Sequence, residues 1–370
     1  MSGSKKKKGW WMDRPVLVLN LILLFGLAAS YAGSTVSPAQ FWPLAFFAMA
    51  YPIFLGSSII FMIYWFIRRR WFLFLNIAFL LIRPDHVAAT FQMGPGTAET
   101  DSTGIRVMSY NVRLFDYYNW SSNMNTRHWI YDFLFNQQPD ILCLQEFYHD
   151  RTGYFPTVDT LMQVNSIKHM HIENYHKSLS DAQLWGIATL TGYPIIAKGR
   201  IDFSGTYGNL CIFTDVLIDE DTVRIYNLHL QSIRIGTEGY RTIDRLMDRQ
   251  EIDDVNDGRQ LISRMKNGFI KRAAQADLVG RHISRCPYPI ILCGDFNDVP
   301  TSYAYSTIGK GSEDTFGQSG TGLGNTYVRV PFFRIDNILY GPKFKALSHT
   351  VHPYELSDHF AVSAVLTHRK

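Results

Sequence analysis

Asparagines, carboxylates and histidines recur in this chain at one kind of place, the end of a strand-like apolar run. The run IRVMSYN ends on Asn111, DILCLQE ends on Gln145 and Glu146, TVRIYNLHL carries His229 near its end, and IILCGDFNDVP stops on Asp295, Asn297 and Asp298. FRIDNILYG holds Asp336 within an otherwise apolar strand, and ELSDHFAVSAVL sets Asp358 and His359 just before an alternating terminal strand. One such ending is as well explained by a tight turn, because turns select Gly, Asp and Asn. Repetition favours chemistry, since a buried carboxylate is costly unless it is paired or bound to metal.

Asn, Glu, Asp and His gathered from separate strand ends suit metal-assisted hydrolysis of a phosphoester. A hard cation such as Mg²⁺ takes oxygen ligands, usually one or two carboxylates with waters and a phosphate oxygen. A histidine held by a carboxylate activates or orients water, or stabilises a negative phosphoryl oxygen. The four cysteines, Cys143, Cys211, Cys286 and Cys293, lack the paired spacing of a metal site and read as buried thiols.

The motifs SYNVR, LQE, NLHL, GDFND, RIDNI and SDH, in this order across residues 105–368, resemble the endonuclease/exonuclease/phosphatase superfamily of deoxyribonucleases, apurinic endonucleases, inositol polyphosphate phosphatases and neutral sphingomyelinases. The resemblance implies a four-layer α/β sandwich, two mixed β-sheets face to face with helices outside, and a metal-dependent hydrolase site at one edge. It implies Glu146 as principal ligand of Mg²⁺ (or Mn²⁺), with Asn111 and Asp358 close to the ion. Asp295 would hold or deprotonate the attacking water, Asn297 would contact the phosphate, and His359 with Asp336 would form a catalytic pair. His229 matches a second histidine of the deoxyribonuclease branch, the division of acid and base between the two histidines staying open. Arg113 is either a phosphate contact or a surface arginine, and Gln145 orients its neighbours.

The elements that must position these residues begin after a different kind of segment. Residues 16–67 contain no charged side chain. Val16–Gly33 and Phe41–Ile67 are each long enough at ~1.5 Å per residue to cross the ~30 Å hydrocarbon layer. A third apolar stretch, 71–82, either continues through HVAATFQM as a third span or lies in the interface. The basic runs Lys5–Lys8 and Arg68–Arg70 at helix ends predict a cytoplasmic N-terminus. Residues 1–93 are therefore read as a membrane anchor of two or three helices, 94–104 (GPGTAETDST and its flank) as a linker, and 105–370 as the hydrolase domain.

Nine of the 36 Lys and Arg and three of the 32 Asp and Glu lie in the first hundred residues, so the remainder has 27 basic and 29 acidic residues. No basic surplus is left to drive indiscriminate nucleic-acid binding. A helix is predicted over 267–285, with Phe269, Ala273, Ala276 and Val279 on one stripe. The polar insertion 233–266 is where substrate selection could reside, or is a solvated helical decoration.

Two function classes follow. One is a membrane-anchored, Mg²⁺-dependent hydrolase of a phosphodiester, phosphomonoester or pyrophosphate, with a lipid-linked substrate favoured by the anchor and a tethered nuclease as the alternative. The other is an anchored scaffold that has lost the chemistry, against which the intact motif set argues. Membrane-anchored members such as the teicoplanin-resistance type resemble this layout and have an extracytoplasmic domain. The expectation is three spans of a bacterial cytoplasmic membrane and a domain on its outer face.

Overall fold

The computed structural model describes residues 4–94, 104–206, 208–233 and 255–369. Most of the expected linker and residues 234–254 of the polar insertion lie outside them. The N-terminal part is helical: α1 (Ser4–Gly33), α2 (Pro38–Phe41), α3 (Pro43–Met49), α4 (Tyr51–Ile67), α5 (Phe72–Ile82) and α6 (Pro84–Thr90). Its polarity is inverted relative to a water-soluble bundle. Val18, Ile22, Phe25, Ile60, Ile63, Phe66, Phe74 and Leu81 are exposed, while Asn20, Ser30, Ser58 and Asn76 are buried. Asn20 and Asn76 exchange amide hydrogen bonds of 2.9 and 3.0 Å, and Trp65 Nε1 donates to Asn20 at 2.8 Å.

Among the described residues, one helix stretch, Asp13–Gly33, is long and apolar enough by itself to cross a membrane. The expected continuous spans over 41–67 and 71–91 are corrected. The chain bends by 58° between Pro43–Met49 and Tyr51–Ile67, and by 81° between Phe72–Ile82 and Pro84–Thr90, so three spans result only if each bent pair counts as one. Proline is the physical reason. Pro43, Pro52 and Pro84 stand in the first turns of α3, α4 and α6, where the missing N–H costs nothing but the preceding helix cannot continue.

Beyond the short strand β1 (Gln92–Met93), two six-stranded mixed sheets follow. The first contains β2 (Ile105–Asn111), β3 (Ile141–Asp150), β4 (His169–Lys177) and β5 (Gln183–Thr191). The second contains β6 (Ile195–Ile201), β7 (Leu210–Ile218), β8 (Asp221–His229), β9 (Ile290–Asp295) and β10 (Glu313–Asp314). The chain then forms β11 (Thr321–Gly322), which pairs with β1, then β12 (Asp336–Tyr340) of the second sheet and β13 (Phe344–His352) and β14 (Ala361–His368) of the first. The orders are β13-β14-β2-β3-β5-β4 and β10-β12-β9-β8-β7-β6, with β2–β3 and β8–β9 parallel.

Period-two alternation builds the layers. Val107, Ile141, Cys143, Ile225, Ile291, Cys293, Ile338 and Val362 fill the space between the sheets. Their chain neighbours Met108, Leu142 and Leu144 form a second core with Ile130 and Leu134 of the helix Thr126–Gln137. Leu228, Ile290 and Leu292 form a third with Ala276 and Val279 of the helix Val255–Ile283. That helix buries the predicted stripe but starts earlier than expected, so the last part of the polar insertion is helical, in line with the helical-decoration reading of it. The result is the expected four-layer α/β arrangement.

The apolar bundle docks directly on the sandwich. Thr301 Oγ1 donates to the Ala48 carbonyl at 2.8 Å, and the Phe46 ring meets Phe269 edge-on at 5.1 Å. Arg334 donates to the Ala89 carbonyl at 2.9 Å.

Candidate active site

The rows of residues that fill the space between the sheets turn polar at one end. Val107 and Ser109 lead to Asn111; Ile141 and Cys143 to Gln145; Ile225 and Asn227 to His229; Ile291 and Cys293 to Asp295. Register aligns them, with Asn111 opposite Gln145, His229 opposite Asp295, and Asp295 opposite Asp336. Glu146 has the wrong parity for this face, and a β-bulge corrects it. The β3–β5 register shifts between Leu144 and Phe147, and Glu146 takes φ +48°, a left-handed conformation that re-aims its side chain.

Close backbone approach sets the Asp295 end. Gly294 has φ +146°, and a Cβ there would lie 2.0 Å from the Leu228 carbonyl oxygen, so this position of GDFND admits only glycine.

The carboxylates meet around Asp295. Asn111 Nδ2 donates to Asp295 Oδ2 at 3.0 Å and to Glu146 Oε1 at 3.4 Å. His229 Nε2 stands 3.6 Å from Asp295 Oδ2 and 3.8 Å from Glu146 Oε1, with both ring nitrogens buried and without a hydrogen-bond partner. His359 Nδ1 is bonded to Asp336 Oδ2 at 2.9 Å, and its Nε2 lies 3.8 Å from Asp295 Oδ2. Asp358 lines the same cavity as Glu146 and faces Arg113 at 3.5 Å. The structure thus gathers all eight predicted site residues at one sheet edge.

Burial raises the Glu146 carboxyl, with Asp358 and Asp295 adding to the rise and His229 and His359 opposing it. Burial pushes Asp336 up to about 6 against the pull of His359. His359 feels burial in the opposite sense, but Asp336 and Asp295 outweigh it and hold the imidazole well above its ordinary value.

Asp295, Asp336 and His359 offer donor atoms within 4.8 Å of one another, the spacing of a metal site. The 2.9 Å bond ties Asp336 Oδ2 to His359 Nδ1. Glu146, Asp358 and the Asn111 side-chain oxygen Oδ1, which also accepts the Arg113 backbone N–H at 3.1 Å, form the better set for a hard cation, being oxygen donors, with the Glu146 carboxyl raised by burial and ready for a neutralising charge.

Asn297 lines the same cavity, with its N–H donors already bonded to protein. Its Nδ2 donates to Leu230 O at 2.9 Å and to Asp295 Oδ2 at 3.1 Å, and its backbone N–H donates to Asp295 Oδ1 at 2.8 Å. One amide hydrogen and the backbone N–H therefore hold Asp295, and the other amide hydrogen is taken by Leu230 O. Gln145 Nε2 donates to Asn227 Oδ1 at 2.8 Å, joining the two sheets under the site, and Asn227 in turn donates to Ala188 O at 2.8 Å. Arg113 stacks over Trp120 at 4.5 Å.

Three contributors were not singled out from sequence. Asn227 stood in view within NLHL. Ser357, inside SDH, donates to the Asn111 carbonyl at 2.8 Å. Thr326 accepts from the Ile335 and Asp336 backbones at 2.9 and 3.0 Å and carries no motif that could reveal it.

A family model described as the endonuclease/exonuclease/phosphatase family matches residues 108–359. The chain belongs to this family. Its members hydrolyse phosphoester bonds, typically with divalent metals. A second model, described as a domain of unknown function (DUF8431), matches residues 13–90. Among solved structures, an endonuclease/exonuclease/phosphatase from Beutenbergia cavernae DSM 12333 is similar at 18% identity and TM-score 0.51, over 71% of each chain. A humanized D. rerio TDP2 is similar at 16% identity and TM-score 0.50, over 71% of this chain and 98% of the other. At such identities the likeness establishes the family fold and no more. No curated relative matches the chain.

Proposed function

We propose that the protein is a membrane-anchored, Mg²⁺-dependent hydrolase of phosphodiester bonds. The observation that carries the reading is the convergence of Asn111, His229 and the Asp336–His359 pair on Asp295, with Glu146, Asp295, Asp358 and His359 lining one cavity. Glu146 and Asp358, with the Asn111 side-chain oxygen Oδ1, would hold Mg²⁺ or Mn²⁺. The ion, when bound, supplies a Lewis acid that neutralises charge on a phosphate oxygen.

The chain's own groups perform the proton chemistry. Asp295, fixed by the Asn297 N–H and amide, orients the attacking water and takes its proton as the new P–O bond forms. His359 is kept cationic and oriented by Asp336, and its Nε2 face donates to the phosphoryl oxygens. His229, free of other bonds at both nitrogens, hands a proton to the leaving oxygen as the old P–O bond breaks. Asn297 serves as a positioning residue.

The exposed apolar belt and buried asparagine pair of α1, α4 and α5 support the anchor, because helices in lipid turn polar groups inward and apolar ones outward. The full chain in detergent, assayed with Mg²⁺ against DNA, RNA, phosphatidyl lipids, sphingolipids and polyprenyl pyrophosphate, should turn over at least one phosphate ester. EDTA should abolish the activity, and Glu146→Gln should lower it beyond the roughly 10- to 100-fold typical of outer-shell partners. EDTA-resistant turnover, or an unimpaired Glu146→Gln enzyme, rejects the reading.

A further inference from the structure

The catalytic cavity is not closed by the sandwich alone. It measures about 200 Å³, with Glu146, Asp295 and His359 among its lining residues and an apolar side formed by Met49, Ile233, Val330 and Phe333. Met49 is the last residue of α3, in the elbow between the long apolar helices α1 and α4. The elbow is fastened by the Thr301–Ala48 hydrogen bond and the Phe46–Phe269 contact, so Met49 is a fixed wall.

The opposite wall belongs to the segment Tyr327–Arg334. At one end the Tyr327 ring packs on His359 at 5.3 Å. At the other, Arg334 donates to the Ala89 carbonyl of α6. Between them Pro331 and Phe332 face outward, Phe332 being 52% exposed at φ +72°. Active site and apolar bundle are thus joined by a segment that exposes Arg329 and, beside it, the apolar Pro331 and Phe332.

Size and charge decide what such a site accepts. Sites that enclose a whole drug-sized ligand measure roughly 300–1,000 Å³, so this one takes the phosphate and the substituent nearest to it. The rest of the substrate must leave across the rim. The lining includes four carboxylates, Glu146, Asp295, Asp298 and Asp358, while Arg272 is spent on Asp298 at 3.0 Å. A nucleic acid needs a row of cations for its successive phosphates, and this lining offers only His359 beside an Arg272 already paired with Asp298.

We infer that the substrate is an amphiphilic phosphate ester drawn from the bilayer, its hydrocarbon leaving over the Met49–Val330–Phe333 rim while its phosphate enters the cavity. Met49, supplied by the anchor, is then a specificity residue. This rests on the phosphodiesterase reading above.

Two chromogenic diesters separate the possibilities, hexadecyl 4-nitrophenyl phosphate and methyl 4-nitrophenyl phosphate, given to the full chain in lipid nanodiscs with Mg²⁺. The hexadecyl ester should have the higher kcat/KM by at least about tenfold, the worth of an apolar pocket contact. Met49→Asp and Val330→Asp should each shrink the hexadecyl-to-methyl ratio by about tenfold, mostly through KM, while Met49→Leu preserves it. Because each variant is judged by a ratio, general loss of folded enzyme cancels. Hydrolysis of neither ester rejects the phosphodiesterase reading itself. Equal use of both, a ratio unmoved by the Asp variants, or preferential hydrolysis of a single-stranded oligonucleotide overturns the amphiphile inference and leaves the hydrolase standing.

Discussion

Two opposite forces act on the His359 imidazole, and their balance decides its charge. Burial disfavours the cation, while Asp336 at 2.9 Å and Asp295 at 3.8 Å favour it and prevail. In the metal-free protein at pH 7 the ring should therefore be protonated by NMR. Asp336→Asn should lower its titration midpoint, since burial then acts against one carboxylate fewer; an unmoved midpoint would show that Asp336 does not set the charge. Because a carboxylate that orients an imidazole has no task once the ring is gone, Asp336→Asn and His359→Ala should also lose rate non-additively. Multiplicative losses in the double variant would count against the pair. These residues were legible in the sequence because a carboxylate or histidine that closes an apolar strand pays for its burial unless a partner or an ion compensates it. What was not legible was where their hydrogens go. Asn297 reads as a phosphate contact in GDFND, yet its Nδ2 is committed to Leu230 O and Asp295. Thr326 acts only through its hydroxyl on two backbone donors, and a threonine in a loop announces no such use.

The strands position the site through two devices, a bulge on β3 and a glycine on β9, and both can be tested. Gly294→Ala puts a methyl 2.0 Å from the Leu228 carbonyl, and neither β8 nor β9 can retreat without breaking a parallel ladder. The substitution should cost about 1–3 kcal/mol, the range of core overpacking, seen as a lower thermal midpoint of the full chain in detergent. The bond from Gln145 to Asn227 links the sheets beneath the site at 2.8 Å. Gln145→Leu or Asn227→Leu alone removes this bond while the remaining amide keeps its other partners, Ser109 and Cys143 O for Gln145 and Ala188 O for Asn227; each should cost about 0.5–1.5 kcal/mol, whereas the double variant should lose less than the two together. Additive losses would mean the bridge is incidental. Strand positions could be read because alternation marks which face is buried, while the two mixed sheets were what the family resemblance implied. The bulge left no such mark, because Gln145 and Glu146 are both plausible at a strand end and only the register shift separates their directions. The apolar helices misled for the opposite reason. Uniform hydrophobicity hides the bends that Pro43, Pro52 and Pro84 impose.

At the scale of the whole molecule, the bundle has two chemically distinct ends. At one, Asp13 holds Arg68 at 2.9 Å and Arg70 at 2.8 Å. At the other, Ser34 receives Arg83 at 3.1 Å, and Ala48 and Ala89 accept bonds from the sandwich. The hydrolase part therefore sits beyond the end remote from Arg68 and Arg70. Short basic segments are retained on the cytoplasmic side, so the sandwich should face outward, a prediction that makes α5 the deciding element. Its eleven residues cover only about 16 Å at 1.5 Å each, less than the hydrocarbon layer, so the bent partner α6 and local thinning of the bilayer must supply the remainder. Thiol labelling reads the outcome. Cys143, Cys211 and Cys293 are buried, so with Cys286→Ser a cysteine introduced at the exposed Leu179 reports on the sandwich and one at Arg69 on the opposite end. In intact spheroplasts an impermeant maleimide should modify Leu179→Cys and spare Arg69→Cys until the membrane is opened. The reverse pattern would place the active site in the cytoplasm, and equal labelling of both would mean that the two ends share a side and that α5 does not cross.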